Sequence, residues 1–221
     1  MATVVSTEGS LQIPAWVTDL ASFRRWAASD EFPEEGRICF INGEVWADMS
    51  WQQVFSHVAV KNAINVALNK VVQQAGNGRY WPDGLRLYSE AADLSAVPDG
   101  SYISYNAMRT GRVRLVEGRE AGYIAVDGAP DLVIEVISDS SEDKDYEWQM
   151  RAYLDAGVKE YWVIDARTEP VRFDIYKAAS KGFAATRKSA GWLKSAVFGK
   201  SFRLDVIADP LGNPDYVLRV K

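Results

Sequence analysis

Apolar residues return every three or four positions through Val60, Ile64, Ala67, Leu68, Val71 and Ala75. This spacing puts them on one helical stripe. Ser50 and Gln53 form a capping-box pattern ahead of it, and Gly76 stands just past its last member, which predicts a helix over Trp51–Ala75. A shorter repeat of Leu20, Phe23 and Trp26/Ala27 predicts a helix over Asp19–Ser29 with Thr18 as N-cap. Between these helices Ile38 and Phe40 alternate with other residues, Asn42-Gly43 supplies a turn, and Glu44–Ala47 returns, the pattern of a β-hairpin. Strand-like segments follow at Gly84–Tyr88, Tyr102–Tyr105 and Tyr123–Val126, and Thr110–Gly122 reads as a loop poor in core residues.

The segment Asp131–Ile137 is an apolar run broken only by Glu135, as in a strand buried on both faces. A helix over Asp145–Ala156 then shows Tyr146, Met150, Tyr153 and Leu154 on one face and stops at Gly157. Tyr161–Ile164 is a second buried strand, and Val171–Tyr176 pairs with it as a hairpin. Strand, helix, strand is a right-handed crossover with a parallel pair, so the fold class is α/β, and the rest, to Lys221, reads as short strands and turns. Residues 1–16 read as a loose arm and 17–221 as a single domain.

With 48% hydrophobic residues, 8 Trp and 10 Tyr, the 221-residue chain has material for a large core, which excludes disorder. The one cysteine, Cys39, lies in an apolar stretch and reads as a buried small hydrophobe, as expected in a reducing cytoplasm. No secretory signal and no apolar run of membrane-spanning length is present, so no membrane partner is expected. The net charge of −5 argues against bulk electrostatic capture of nucleic acid and requires local patches or a bound cation instead.

Chemistry points first to Glu135, because a carboxylate inside Val-Ile-Glu-Val-Ile must be paired or must hold a cation. Asp131 lies on the same face of that strand but about 13 Å away, too far to share one ion. A second ligand has to come from a neighbouring strand, and Asp99, just before Ser101–Ser104, is placed for it. Pro98-Asp99-Gly100 is also an ordinary turn signature, repeated at Pro82-Asp83-Gly84.

Taken together, Pro130-Asp131 through Glu135 to Ser138, Tyr153 with Gly157-Val158, and Glu160-Tyr161-Trp162-Val163-Ile164-Asp165 resemble the Uma2 family of PD-(D/E)XK, restriction-endonuclease-like nucleases. Asn42-Gly43-Glu44-Val45, His57 and Pro98-Asp99 match in the expected order upstream. The resemblance implies a restriction-endonuclease-like α/β fold, a mixed sheet flanked by helices with additional C-terminal strands, and a Mg²⁺ or Mn²⁺ site with Asp99 and Glu135 as core ligands and Glu44 as an additional acid. His57 and Asp131 would lie at the rim, and DNA would be the substrate of an endonuclease. A homodimer is compatible with this reading.

The superfamily lysine two residues after the acid is Ile137 here, and the lysine that the family carries on the next helix is Gln149. Lys144, just before that helix, is the nearest replacement. Two further readings stay open: a non-catalytic binding protein that keeps the nuclease fold, and a metal-dependent hydrolase of a smaller phosphodiester.

Overall fold

The computed structural model describes residues 5–7, 11–119, 121–138 and 143–221, with side chains for 11–119, 121–138 and 147–221. Among the described residues the strands form three sheets. The central one has six strands in the order Gly182–Ala185, Arg172–Ala179, Glu160–Asp165, Leu132–Val136, Gly100–Ser104 and Gly78–Pro82. Leu132–Val136 runs parallel to Glu160–Asp165 and antiparallel to Gly100–Ser104. Helix Asp143–Ala156 makes the expected crossover between the parallel pair.

Alternation along Leu132–Val136 divides its side chains between two cores. Leu132, Ile134 and Val136, with Trp162 and Ile164, pack against Val60, Ile64 and Leu68 of helix Val60–Ala75. The two long C-terminal strands, Ser201–Ala208 and Pro214–Val220, close this core with Phe202, Tyr216 and Leu218. Val133, Tyr161 and Val163 face the other way, onto Ala152 and Tyr153 of the crossover helix and onto Leu87, Leu94 and Val126 of a seven-stranded sheet. Glu135 shares the parity of Val133, so it enters this second core. Each fully buried aliphatic contributes about 1.5–3 kcal/mol, enough to fix the register that sets Glu135 in place.

The hairpin is Arg37–Ile41 with Glu44–Asp48, turning at Asn42 and Gly43, both at positive φ. Cys39 is half-buried on this hairpin and packs against the core as a small hydrophobe.

Several expectations are corrected. Asp19, not Thr18, caps the first helix, Leu20–Ala27, because its carboxylate accepts from Ser22 N–H at 2.7 Å while Ser22 Oγ accepts from Asp19 N–H at 3.0 Å. The second helix begins later than Trp51, with a π-helical segment Val54–Ala59 that leads into Val60–Ala75. The N-cap of that segment is Gln53, with no side-chain cap bond, and Ser50 lies ahead of it, donating its hydroxyl and N–H to Asp48. Gly76 ends that helix in the left-handed conformation, as expected. The interval 110–122 contains a strand, Val113–Glu117, paired with Tyr123–Gly128. Along the crossover helix Ala152 and Tyr153 are buried while Met150 and Leu154 are half-buried, and the Tyr146 side chain lies outside the described residues.

Candidate active site

Strand pairing brings the two key carboxylates together. Ile134 pairs with Gly100, so Asp99 and Glu135 lie opposite one another one step further on. Both are buried. Val136 N–H donates to Asp99 Oδ2 at 2.8 Å, and the Tyr153 hydroxyl donates to Glu135 Oε1 at 2.7 Å. The Glu135 strand thereby fixes the Asp99 carboxylate, and the crossover helix fixes that of Glu135.

The hairpin and the long helix deliver cations to this pair. The Arg37 guanidinium bonds Asp99 Oδ1 and lies 3.9 Å from Glu135 Oε2. Lys61 Nζ lies 3.3 Å from Asp99 Oδ1 and 2.5 Å from Asp83 Oδ2. Asp83 and Asp99 come from the two Pro-Asp-Gly turns, which meet because Pro82 pairs with Gly100. His57 Nε2 is 3.6 Å from Asp99 Oδ2, beyond hydrogen-bond length. His57 and Lys61 are four residues apart on continuous helix, hence on one face. A pocket of about 290 Å³ lies beside this group, lined by Arg37, Asp48, Ser50, Trp51, His57 and Asp83 but not by Asp99, Glu135 or Lys61.

The two carboxyls differ in proton affinity. Burial and the charge of Asp99 push Glu135 up to about 8, which Arg37 and Tyr153 only partly offset. Burial opposes ionisation of Asp99 as well, but His57, Arg37 and Lys61 outweigh it and hold its carboxyl well below the usual range. One member of the pair is thus firmly charged, and the other takes its charge only when more positive charge arrives.

These residues fit one hard cation. Magnesium-type sites use one or two carboxylates and complete the shell with water and substrate oxygens, and here two carboxylates converge on Arg37, with Lys61 beside Asp99 alone. A larger protein cage is not present: among the described residues no three His, Cys, Asp or Glu side chains gather around a point that could hold a metal.

Other expected residues lie elsewhere. Glu44 sits at the turn end of the hairpin opposite Ile41, four residues from Asp48 and so about 13 Å along the strand. The hairpin acid that lines the pocket is Asp48. His57 therefore neighbours Asp99 and not Glu44. Asp131, at the far end of the Glu135 strand, accepts from Ser104 N–H at 2.8 Å, Arg112 at 2.5 Å and Lys159 at 2.7 Å, a self-contained ion-pair cluster. Ile137 packs against the core beside Val133. Gln149 is half-buried on the crossover helix, and the Lys144 side chain lies outside the described residues. Sequence reasoning missed Arg37 and Lys61. The signal for Lys61 was its spacing from His57; Arg37 preceded the alternating run and carried no signal.

A mixed sheet with paired carboxylates at adjoining strand ends, facing cations from a hairpin and a helix, defines a restriction-endonuclease-like α/β protein. A profile of the Uma2 family, described as "Putative restriction endonuclease", matches residues 20–184, and the chain belongs to that family. Among solved structures it is similar to one from Anabaena variabilis ATCC 29413, titled as a putative nuclease belonging to DUF820. The likeness has a TM-score of 0.60 at 20% identity over 82% of this chain and 90% of the other. Among curated proteins none matches the sequence. No helix among the described residues is long and apolar enough to cross a membrane.

Proposed function

We propose that this protein is a divalent-metal-dependent nuclease hydrolysing phosphodiester bonds in DNA, with Asp99 and Glu135 holding Mg²⁺ or Mn²⁺. The observation that carries the reading is the buried Asp99–Glu135 pair, one member of which is short of positive charge. When bound, the ion neutralises phosphate charge and lowers the pKa of a coordinated water. The chain's own residues do the rest. Val136 N–H and the Tyr153 hydroxyl hold the two carboxylates in orientation. Lys61, at 3.3 Å from Asp99, supplies the positive group that Ile137 and Gln149 cannot, and stabilises charge developing on the phosphate. Lys144 is the rival for that role.

The test is plasmid cleavage with Mg²⁺ or Mn²⁺. Glu135→Ala removes cleavage. Lys61→Ala lowers the rate by about 10²–10³, the usual worth of one such group, while Lys144→Ala leaves it unchanged. The reverse result for the two lysines returns the role to Lys144. A second reading, a non-catalytic DNA-binding protein, is favoured by the uncharged Ile137 and Gln149 and by an arginine that already lies beside both carboxylates. It takes over if the wild type cleaves no form of DNA with any divalent ion.

A further inference from the structure

Arg37 occupies an unusual position. Its guanidinium touches Asp99 and lies 3.9 Å from Glu135, between the two carboxylates that a divalent ion would have to share. It also lines the pocket, with 29% of its side chain exposed, so one side of it is open to incoming ligand. We propose that Arg37 is the stand-in cation of the ion-free site, and that a divalent ion displaces it onto the phosphate of the substrate. This rests on the reading of the site as a metal-dependent phosphodiesterase.

The argument is one of charge and shape. Two buried carboxylates cannot both be ionised without counter-charge, and Arg37 is the cation that lies within reach of both. Arg37 carries a single delocalised charge against their two, whereas a divalent ion carries two compact ones and binds closer to the oxygens. Once displaced, a planar guanidinium on a long flexible stem offers two parallel N–H donors, the geometry that fits phosphate oxygens. Lys61 stays behind, because Asp83 holds it at 2.5 Å.

The test uses Arg37→Gln and two ligands. Mn²⁺ affinity, read by calorimetry and by the shift in melting temperature, should tighten about tenfold, because a competing cation worth roughly one charge-assisted hydrogen bond is gone. Affinity for a short fluorescein-labelled DNA duplex in Ca²⁺, read by anisotropy, should weaken about tenfold. A merely structural arginine would not move the two ligands in opposite directions. Mn²⁺ affinity that is unchanged or weaker in the variant overturns the proposal. If Arg37→Gln does not fold, Arg37→Lys serves: it keeps the competing charge and loses the planar fork, so duplex affinity falls while Mn²⁺ affinity stays near wild type, and unweakened duplex binding overturns the idea. If neither wild type nor variant binds Mn²⁺, the parent reading fails with this one; equal Mn²⁺ binding by both removes this one alone.

Discussion

The two ends of the strand Leu132–Val136 solve the same problem in opposite ways. At one end Asp131 is buried, and burial opposes its charge, but Lys159, Ser104 N–H and Arg112 outweigh that and lower its pKa. One carboxylate meets two cations and a backbone donor there, and the cluster is complete. At the other end two buried carboxylates share Arg37, with Lys61 divided between Asp99 and Asp83, and Glu135 is left with its proton affinity raised. The carboxylates at both ends are buried. The difference lies in the ratio of carboxylates to donors: a saturated cluster holds the fold, and an unsaturated one is the place where we propose a ligand binds.

The largest effect expected from this contrast is on stability against pH. In the ion-free folded protein Glu135 titrates at about 8, and in the unfolded chain near its ordinary 4.5. Between those values the folded state holds the extra proton, so raising the pH favours unfolding. Asp99 has the opposite sign: its carboxyl is held low, and its contribution is lost only as the pH falls below its ordinary 3.8, outside this window. Glu135→Gln should therefore be more stable than wild type near pH 8, by on the order of 2–4 kcal/mol at about 1.4 kcal/mol per pH unit, and nearly equal to it near pH 5. Mn²⁺ should flatten the wild-type slope. Parallel melting-temperature curves for the two proteins between those pH values would break the comparison.

How far the sequence foretold these two ends follows from what each depends on. The strand–helix–strand unit over 131–165 was legible because burial on both faces leaves an uninterrupted apolar run, and a charge inside such a run stands out. Glu135 was visible for that reason, and Asp99 became visible as its cross-strand neighbour. Asp131 was visible too, but nothing in its local pattern showed that Arg112 and Lys159 would saturate it, since both approach from distant positions. Glu44 was misplaced because a hairpin carries acids at both ends, and only the pairing with Arg37 shows that Asp48 is the one beside the pocket. The strand Val113–Glu117 was missed because four of its five residues are not buried, so tertiary pairing set its structure.

A smaller effect is expected at the saturated end. Asp131→Asn removes the charge that Arg112 and Lys159 share. Those cations are 30% and 57% exposed and regain water, which limits the loss. The expected cost is about 2 kcal/mol, within the range for hydrogen bonds to a charged group, or about 4–8 °C in melting temperature for a chain of this size. The Mn²⁺-induced shift should stay at its wild-type value. A variant that also lost the Mn²⁺ shift would show that the two ends are coupled through the strand.

The smallest effect concerns a fourth buried carboxylate, Glu160, which sits beside the Asp131 end and accepts from neutral donors. Its N–H bonds the Asp131 carbonyl at 3.1 Å, and Leu132 is its partner in the parallel register. Its carboxylate accepts from Trp162 Nε1 at 2.7 Å, from the Ser195 hydroxyl at 2.6 Å and from Ala196 N–H at 2.6 Å, so it ties the central sheet to the turn that starts the C-terminal hairpin. Ser195 is fully buried, and its Oγ also accepts from Phe198 N–H at 3.0 Å. Ser195→Ala removes one donor of several and frees one backbone N–H, leaving the carboxylate bonded on its other sides. The expected loss is about 1 kcal/mol, roughly 2–4 °C, with Mn²⁺ binding unchanged. A drop several times larger would mean that Glu160 is close to unsatisfied, like Glu135. Saturation of a buried carboxylate would then no longer separate the structural end of this strand from the functional one.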